Sequence, residues 1–244
     1  MKGRIAYAAF AAALIVYAGY AALFIAPDEA TMHEIQRIFY FHVSAWILCF
    51  TAFFIVFVAN VAYLVTRRDS WDCLGVAAAE VGVATCTIGL VTGPLWGRPV
   101  WGIWWTWDAR LTTTFILWLL YISYLVLRGL LDEPERRALL SAVFGIFAFL
   151  DVPLVYVSNR LWRTQHPAPV FFGGPDSGLA PAMAKVFLVC VIAAFGVMIP
   201  VLLDRYRLER LRHETEELRF RIDNRVPAAQ PQPGSHSASV RVTP

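Results

Sequence analysis

Six stretches of about 20 mostly apolar residues divide this chain, at roughly 5–26, 43–65, 75–93, 112–131, 138–158 and 182–203. Each has the length a helix needs to cross the hydrocarbon core of a bilayer. No arrangement of the remaining residues into a soluble domain would cover that much apolar surface. Only 16% of the 244 residues are charged, 58% are hydrophobic, and the mean hydropathy is +0.56. The first run follows Lys2 and Arg4, as in a signal peptide, but it exceeds the usual apolar region of about 7–15 residues. It reads as an uncleaved first span. The expected fold is therefore all-α: a polytopic membrane protein of six transmembrane helices, with a membrane domain over 1–204. Residues 205–244 are expected to form a charged helix and then, from Val226, a disordered Pro-, Gln- and Ser-rich tail.

Cation placement sets the expected orientation. With the N-terminus inside, the inner segments hold Lys2, Arg4, Arg67, Arg68, Arg128, Arg136, Arg137 and eight arginines of the tail, 15 of the 21 lysines and arginines. The outer side receives Arg37, Arg98, Arg110, Arg160, Arg163 and Lys185. Both termini are thus expected inside, with loops 27–42, 94–111 and 159–181 outside. The net charge of +3 is accounted for by arginines near lipid headgroups and calls for no nucleic-acid partner. Cys49, Cys73, Cys86 and Cys190 are scattered in or beside spans. With no CxxC and no CxxCH, they read as packing residues rather than redox or haem-attachment thiols.

The outer loops carry the chemistry. Residues 31–42 (TMHEIQRIFYFH) suit a short interfacial helix before span two. Residues 94–110 (PLWGRPVWGIWWTWDAR) concentrate Trp96, Trp101, Trp104, Trp105 and Trp107, five of the nine tryptophans. An aromatic belt places such residues singly at helix ends; this loop gathers them, and in a helical turn Trp101, Trp104 and Trp105 would share one side as an apolar platform. A large, planar, poorly soluble ligand suits such a surface: a porphyrin, or a quinone. Haem would also need axial ligands and cations for its propionates. His42, at the outer end of span two, and His166, in the last outer loop, are candidate iron ligands. Arg98, Arg110 and Arg163, with Arg37 and Arg160, are candidate propionate partners. His33 reads as solvated, and His213 and His236 lie on the far side. Asp108 is an N-cap for span four at the rim of the same surface, able to fix the loop or meet a partner.

The run WGRPVWGIWWTWDARLT (96–112) resembles the tryptophan-rich WWD signature of the cytochrome c assembly proteins, and its WDARLT ending resembles their CcmC branch. QRIFYFHV (36–43), EVG (80–82), TGPLWG (92–97), DVPLVYVS (151–158) and LWRTQHP (161–167) agree, so the resemblance covers nearly everything but the tail. It implies a bacterial inner-membrane protein that binds haem b transiently on its periplasmic face and presents it to the haem chaperone CcmE, working with the ABC transporter CcmAB and the small protein CcmD. It also implies that the two histidines, at His42 and His166 here, are the haem ligands, and that the tryptophan loop is the platform. The family usually has a proline just after the first histidine; this chain has His42-Val43-Ser44-Ala45-Trp46, which shifts the expected start of span two by part of a turn.

Two carboxylates, Glu80 and Asp151, fall inside spans, where such groups are costly and often functional. They support an alternative, a proton-coupled or haem-translocating secondary transporter. Their expected depths differ, and Asp151 precedes Pro153, so roles in helix kinking and packing are the preferred reading. A third possibility is a redox enzyme that keeps its cofactor. No acid–base pair or nucleophile in the sequence suggests an enzyme.

Overall fold

The structure, a computed structural model, describes residues 2–166 and 178–223. Those residues form seven helices: α1 (Lys2–Tyr20), α2 (Ile38–Thr66), α3 (Asp69–Trp101), α4 (Ala109–Leu130), α5 (Pro134–Phe149), α6 (Asp151–Leu161) and α7 (Pro181–Asp223). A π-turn (Ala21–Ile25) extends α1, and a 3-10 turn (Glu34–Arg37) leads into α2. Taking α5 and α6 together, six helical segments are long and apolar enough to cross a membrane, as the sequence predicts. Helices of this kind satisfy every backbone group internally, as lipid requires.

The α2–α3 hairpin is the centre of the bundle. Along α3, Gly75, Gly82 and Gly89 recur every seven residues; along α2, Asn60, Phe53 and Trp46 recur every seven in the opposite direction. Each side chain fits the matching notch. A Cβ on Gly75 would lie 3.0 Å from Asn60 Oδ1, one on Gly82 2.3 Å from Phe53 Cε1, and one on Gly89 2.5 Å from Trp46 Cε2. Small residues let helix backbones approach in lipid, where no hydrophobic drive separates helix from solvent. A seven-residue repeat keeps the seam facing its partner along the whole length. Gly145 of α5 receives Asn60 from the other side, 2.1 Å from its Nδ2 for the same hypothetical Cβ. Phe53 also stacks on Tyr121 of α4, with ring centroids 3.5 Å apart. α7 packs on α2 and α3 and carries α1 on its other flank.

Three departures from the sequence expectation matter. First, α3 runs through Pro94 and Pro99 to Trp101, so the first half of the expected tryptophan loop is helix. Each proline forfeits one backbone bond, at the surface end where the freed carbonyl is least costly. Second, α2 starts at Ile38 instead of about 43, and the expected interfacial helix reduces to the 3-10 turn. Third, span five, where a kink at Asp151–Pro153 is expected, goes further and breaks at Leu150 into α5 and α6. The cause is Pro153, whose ring displaces the carbonyl of Phe149 and cannot donate to it. Beyond the last span, α7 continues unbroken into the charged segment, to Asp223. The expected disordered tail, and the prolines and glycines of 167–177, lie outside the described residues.

At the end opposite the tryptophans, ion pairs join neighbouring helices. Arg128 of α4 grips Asp72 of α3 at 2.5 and 2.7 Å, both nearly buried. Arg205 of α7 grips Glu80 of α3 at 2.5 and 2.7 Å, Arg137 reaches Glu216, and Arg4 reaches Asp204. Charges so placed need partners, and bidentate pairing supplies them. Glu80 is therefore one half of an interhelical pair, and the four cysteines are buried and unbridged.

Gly82→Ala should lower the unfolding midpoint in mild detergent, with an overpacking cost of about 1–3 kcal/mol, because Tyr121 prevents Phe53 from backing away. Adding Phe53→Leu should recover part of the loss, as read by a thermal unfolding series of the two single variants and the double.

Candidate functional site

His42 is one turn inside α2, because the 3-10 turn feeds the helix early, and it is 7% exposed. A fixed chain of hydrogen bonds sets its protonation. The Thr92 hydroxyl donates its only proton to a backbone carbonyl, that of Ile88 at 2.7 Å. Thr92 Oγ1 is then an acceptor for His42 Nδ1, 2.9 Å away, so that nitrogen carries the ring proton. The Trp46 indole donates from Nε1 to His42 Nε2 at 3.1 Å. The imidazole is thus the neutral Nδ1–H tautomer with its lone pair on Nε2, the form that ligates iron.

The end of α3 brings the two histidines into one neighbourhood. Trp96 packs edge-on against His42 with ring centroids 5.7 Å apart, and also against Phe39. Five residues on, Trp101 meets His166, with centroids 6.4 Å apart. The Trp101 ring folds back over Gly97, where a Cβ would lie 3.1 Å from its Cε3. His166 and Arg110 are both within electrostatic reach of His42. The Nε1 donors of Trp96 and Trp105 are buried without a hydrogen-bond partner among the described residues. Buried donors of this kind are rare unless something polar meets them.

The single platform expected from Trp101, Trp104 and Trp105 does not form. Gly102 takes a left-handed conformation (φ 78°) that ends α3, and residues 103–108 are not helical, so the three indoles share no turn. They divide instead. Trp96 and Trp101 face the histidines, whereas Trp105 and Trp107 pack edge-on with each other and with Phe115. Trp104 and Trp107 are largely exposed, at 58% and 73%.

Asp108 does cap α4, accepting from the Leu111 amide at 3.0 Å, and it does more. The Thr106 hydroxyl donates to its other oxygen at 3.1 Å, and Thr164 and the Gln165 amide also bond to it. One carboxylate therefore ties the tryptophan loop, the start of α4 and the residues just before His166. Burial alone would raise its pKa; the Leu111 amide, Thr164, Thr106 and Gln165 outweigh burial and hold it below the usual carboxylate value. A depressed folded-state pKa gives stability that is present above the ordinary carboxylate range and is lost as pH falls through the depressed value.

Of the arginines, Arg110 is the one set within the site, where its Nη1 donates to the carbonyls of Val155 and Tyr156 in α6 at 3.2 and 3.3 Å. Arg98 turns back to the Gly102 carbonyl at its own helix end, and Arg37 is held by Asp28 and the Leu23 carbonyl. Arg160 lies over the Tyr156 ring, and Arg163 is exposed. His33 is exposed, and His213 is at the opposite end beside Asp69. Trp46 and Thr92 were not among the residues singled out by sequence, though Trp46 follows His42 by one helical turn, the spacing at which side chains meet.

Asp108→Ala should cost about 1 kcal/mol of local stability, as lost N-caps do. Faster hydrogen exchange is expected at Leu111 and at Thr164–Gln165 together, and the parent should show the same loosening when acidified below the ordinary carboxylate range. Exchange confined to Leu111 would mean that Asp108 does not hold the His166 segment.

The family model for Heme exporter protein C matches residues 2–221. The chain is 34% identical over 204 residues to the heme exporter protein C of Bradyrhizobium diazoefficiens, covering 83% of this chain and 77% of that one. It is 28% identical to that of Haemophilus influenzae, over 78% of each chain, and 31% identical to that of Escherichia coli, over 58% of each. Six membrane-length helices and a family match over almost the whole described length lead to one conclusion: this chain belongs to the heme exporter protein C family, membrane components that handle haem in cytochrome c maturation.

Proposed function

We propose that the tryptophan end binds haem b transiently, with His42 and His166 as axial ligands, and presents it to the haem chaperone CcmE. The observation that carries this reading is the pairing of Trp96 with His42 and of Trp101 with His166 at the end of one helix. The donor set suits the ligand. His42 holds a neutral imidazole in one tautomer, the indoles offer apolar faces to a porphyrin, and Arg110 and the two buried indole N–H groups offer positive or donor contacts to its carboxylates. Iron–histidine ligation is the chemistry that haem supplies here; these residues orient it and set its electronics.

In this reading the protein sits in a bacterial inner membrane with both termini inside and the tryptophan end in the periplasm, which the excess of inner arginines and lysines supports. CcmAB and CcmD are its partners in the membrane, and exposed Trp104 and Trp107 form part of the surface that meets the chaperone. Transfer needs only that one histidine let go; any covalent bond is made by the chaperone's own nucleophile, so the protein is a binding and delivery component and not an enzyme. The transporter reading has less support, because Glu80 is engaged by Arg205.

The protein purified in mild detergent after expression with ample haem should show a low-spin Soret band. His42→Ala and His166→Ala should each reduce it or convert it to a high-spin form. Parental loading in the double variant would overturn the ligand assignment. Separately, Trp104→Ala with Trp105→Ala should lower both haem retention and chaperone capture in a pull-down; normal transfer in that variant would remove the tryptophan loop from the mechanism.

A further inference from the structure

We propose that Trp46 is a latch on His42: its indole N–H occupies the nitrogen that iron must take, so it competes with haem for the ligand and promotes release. The inference rests on the reading of His42 as an iron ligand. An imidazole nitrogen has a single in-plane lone pair. With Nδ1 protonated and bonded to Thr92, Nε2 is the nitrogen left for iron, and the Trp46 indole donates to it at 3.1 Å. The two uses of that lone pair exclude each other. Ligation has to break the indole bond, and the departure of the iron restores it.

The structure gives the latch a seat. Trp46 follows His42 by one turn of α2, and a helical side chain leans back toward the N-terminus, which brings the indole up to the imidazole. The same edge, the one that carries the N–H, is held against the notch at Gly89, where a Cβ would come within 2.5 Å of Cε2 and 2.8 Å of Nε1. Phe50 lies alongside, with ring centroids 5.6 Å apart. Gly93 leaves the imidazole itself room, since a Cβ there would be in contact range of His42 Cε1 at 3.4 Å. A buried acceptor left without a partner is costly, more so than the mean worth of a hydrogen bond suggests. By filling Nε2 when iron is not there, the indole lowers the free energy of the haem-free protein and so weakens haem binding.

Trp46→Phe keeps an aromatic ring and removes the N–H. It should bind haem more tightly and pass it to excess apomyoglobin at least about fivefold more slowly, the factor for one ordinary hydrogen bond. Its low-spin spectrum should stay parental. Gly89→Ala, which dislodges the indole without altering it, should act in the same direction. In the parent, ultraviolet resonance Raman spectra with and without haem should show one indole N–H losing a hydrogen bond on loading, a band missing from Trp46→Phe; this measurement serves if either variant fails to fold. Parental or faster release in both variants, with His42 still ligating, would overturn the latch and leave the haem site standing. An unaltered haem spectrum in His42→Ala would remove the ligand and the latch together.

Discussion

The glycine seam between α2 and α3 is the contact on which the rest of the molecule depends. Asn60, Phe53 and Trp46 enter the notches at Gly75, Gly82 and Gly89 one after another, at equal steps on two antiparallel helices. The packed face continues past the last notch. Four residues beyond Trp46 is His42, and four beyond Gly89 is Gly93, whose Cα faces the imidazole. The histidine thus sits one helical turn beyond the last notch, on the same packed face, and its position is not a property of a surface loop. A loop could drift; a residue in register with three interlocked layers cannot. Such registration is the scaffold that an ordered ligand site requires.

Lipid explains why polar groups concentrate at the two ends. Within the hydrocarbon a charge has to find a partner or be absent, and the charges at the end opposite the tryptophans are paired across helices: Asp72 with Arg128, Glu80 with Arg205. These pairs bind α3 to α4 and to α7, so the helices that the seam assembles are held at the foot by charge. At the tryptophan end the logic is reversed. Arg110 spends a donor on two α6 carbonyls, Asp108 gathers four donors, and two indole N–H groups are buried without partners among the described residues. One end is closed on itself, and the other keeps donors in reserve.

Much of this was legible in the sequence, for identifiable reasons. Apolar length decides spans, so six are legible; the Asp108 cap follows from residue type and position, and the two histidines stand out by falling on the same side of the membrane as the tryptophan run. The misreadings have physical causes as well. Two prolines suggested that α3 should stop by Pro94, but at a membrane surface the lost bonds are cheap, and the helix continues until Gly102 adopts a left-handed turn. That extension destroys the presumed turn over Trp101–Trp105 and divides the indoles into two groups. The seam lay in plain view as glycines at 75, 82 and 89, yet a repeat of small residues acquires meaning only when the partner helix supplies large ones at the same interval. The role of Trp46 is not legible in the sequence, because a tryptophan in a span reads as lipid-facing packing until its nitrogen is seen on a histidine.

Binding and release make opposing demands, and the division of the indoles bears on both. A site for permanent retention would bury all its aromatic surface. Here Trp96 and Trp101 are packed beside the histidines, whereas Trp104 and Trp107 stand largely in the open. The packed pair belongs to the rigid end of α3, set by the same helix that carries the glycine seam. The open pair belongs to the non-helical stretch after Gly102, tethered through Asp108 to the segment that bears His166. A partner pressing on the open indoles would therefore act on a loop whose anchor also positions the second histidine. His42, locked into the helix register, is the fixed point; His166, held through one carboxylate and its neighbours, is the one a docking event can move. If both histidines ligate iron as proposed, the ligand lost first in a hand-over would be His166, with His42 the last contact to part.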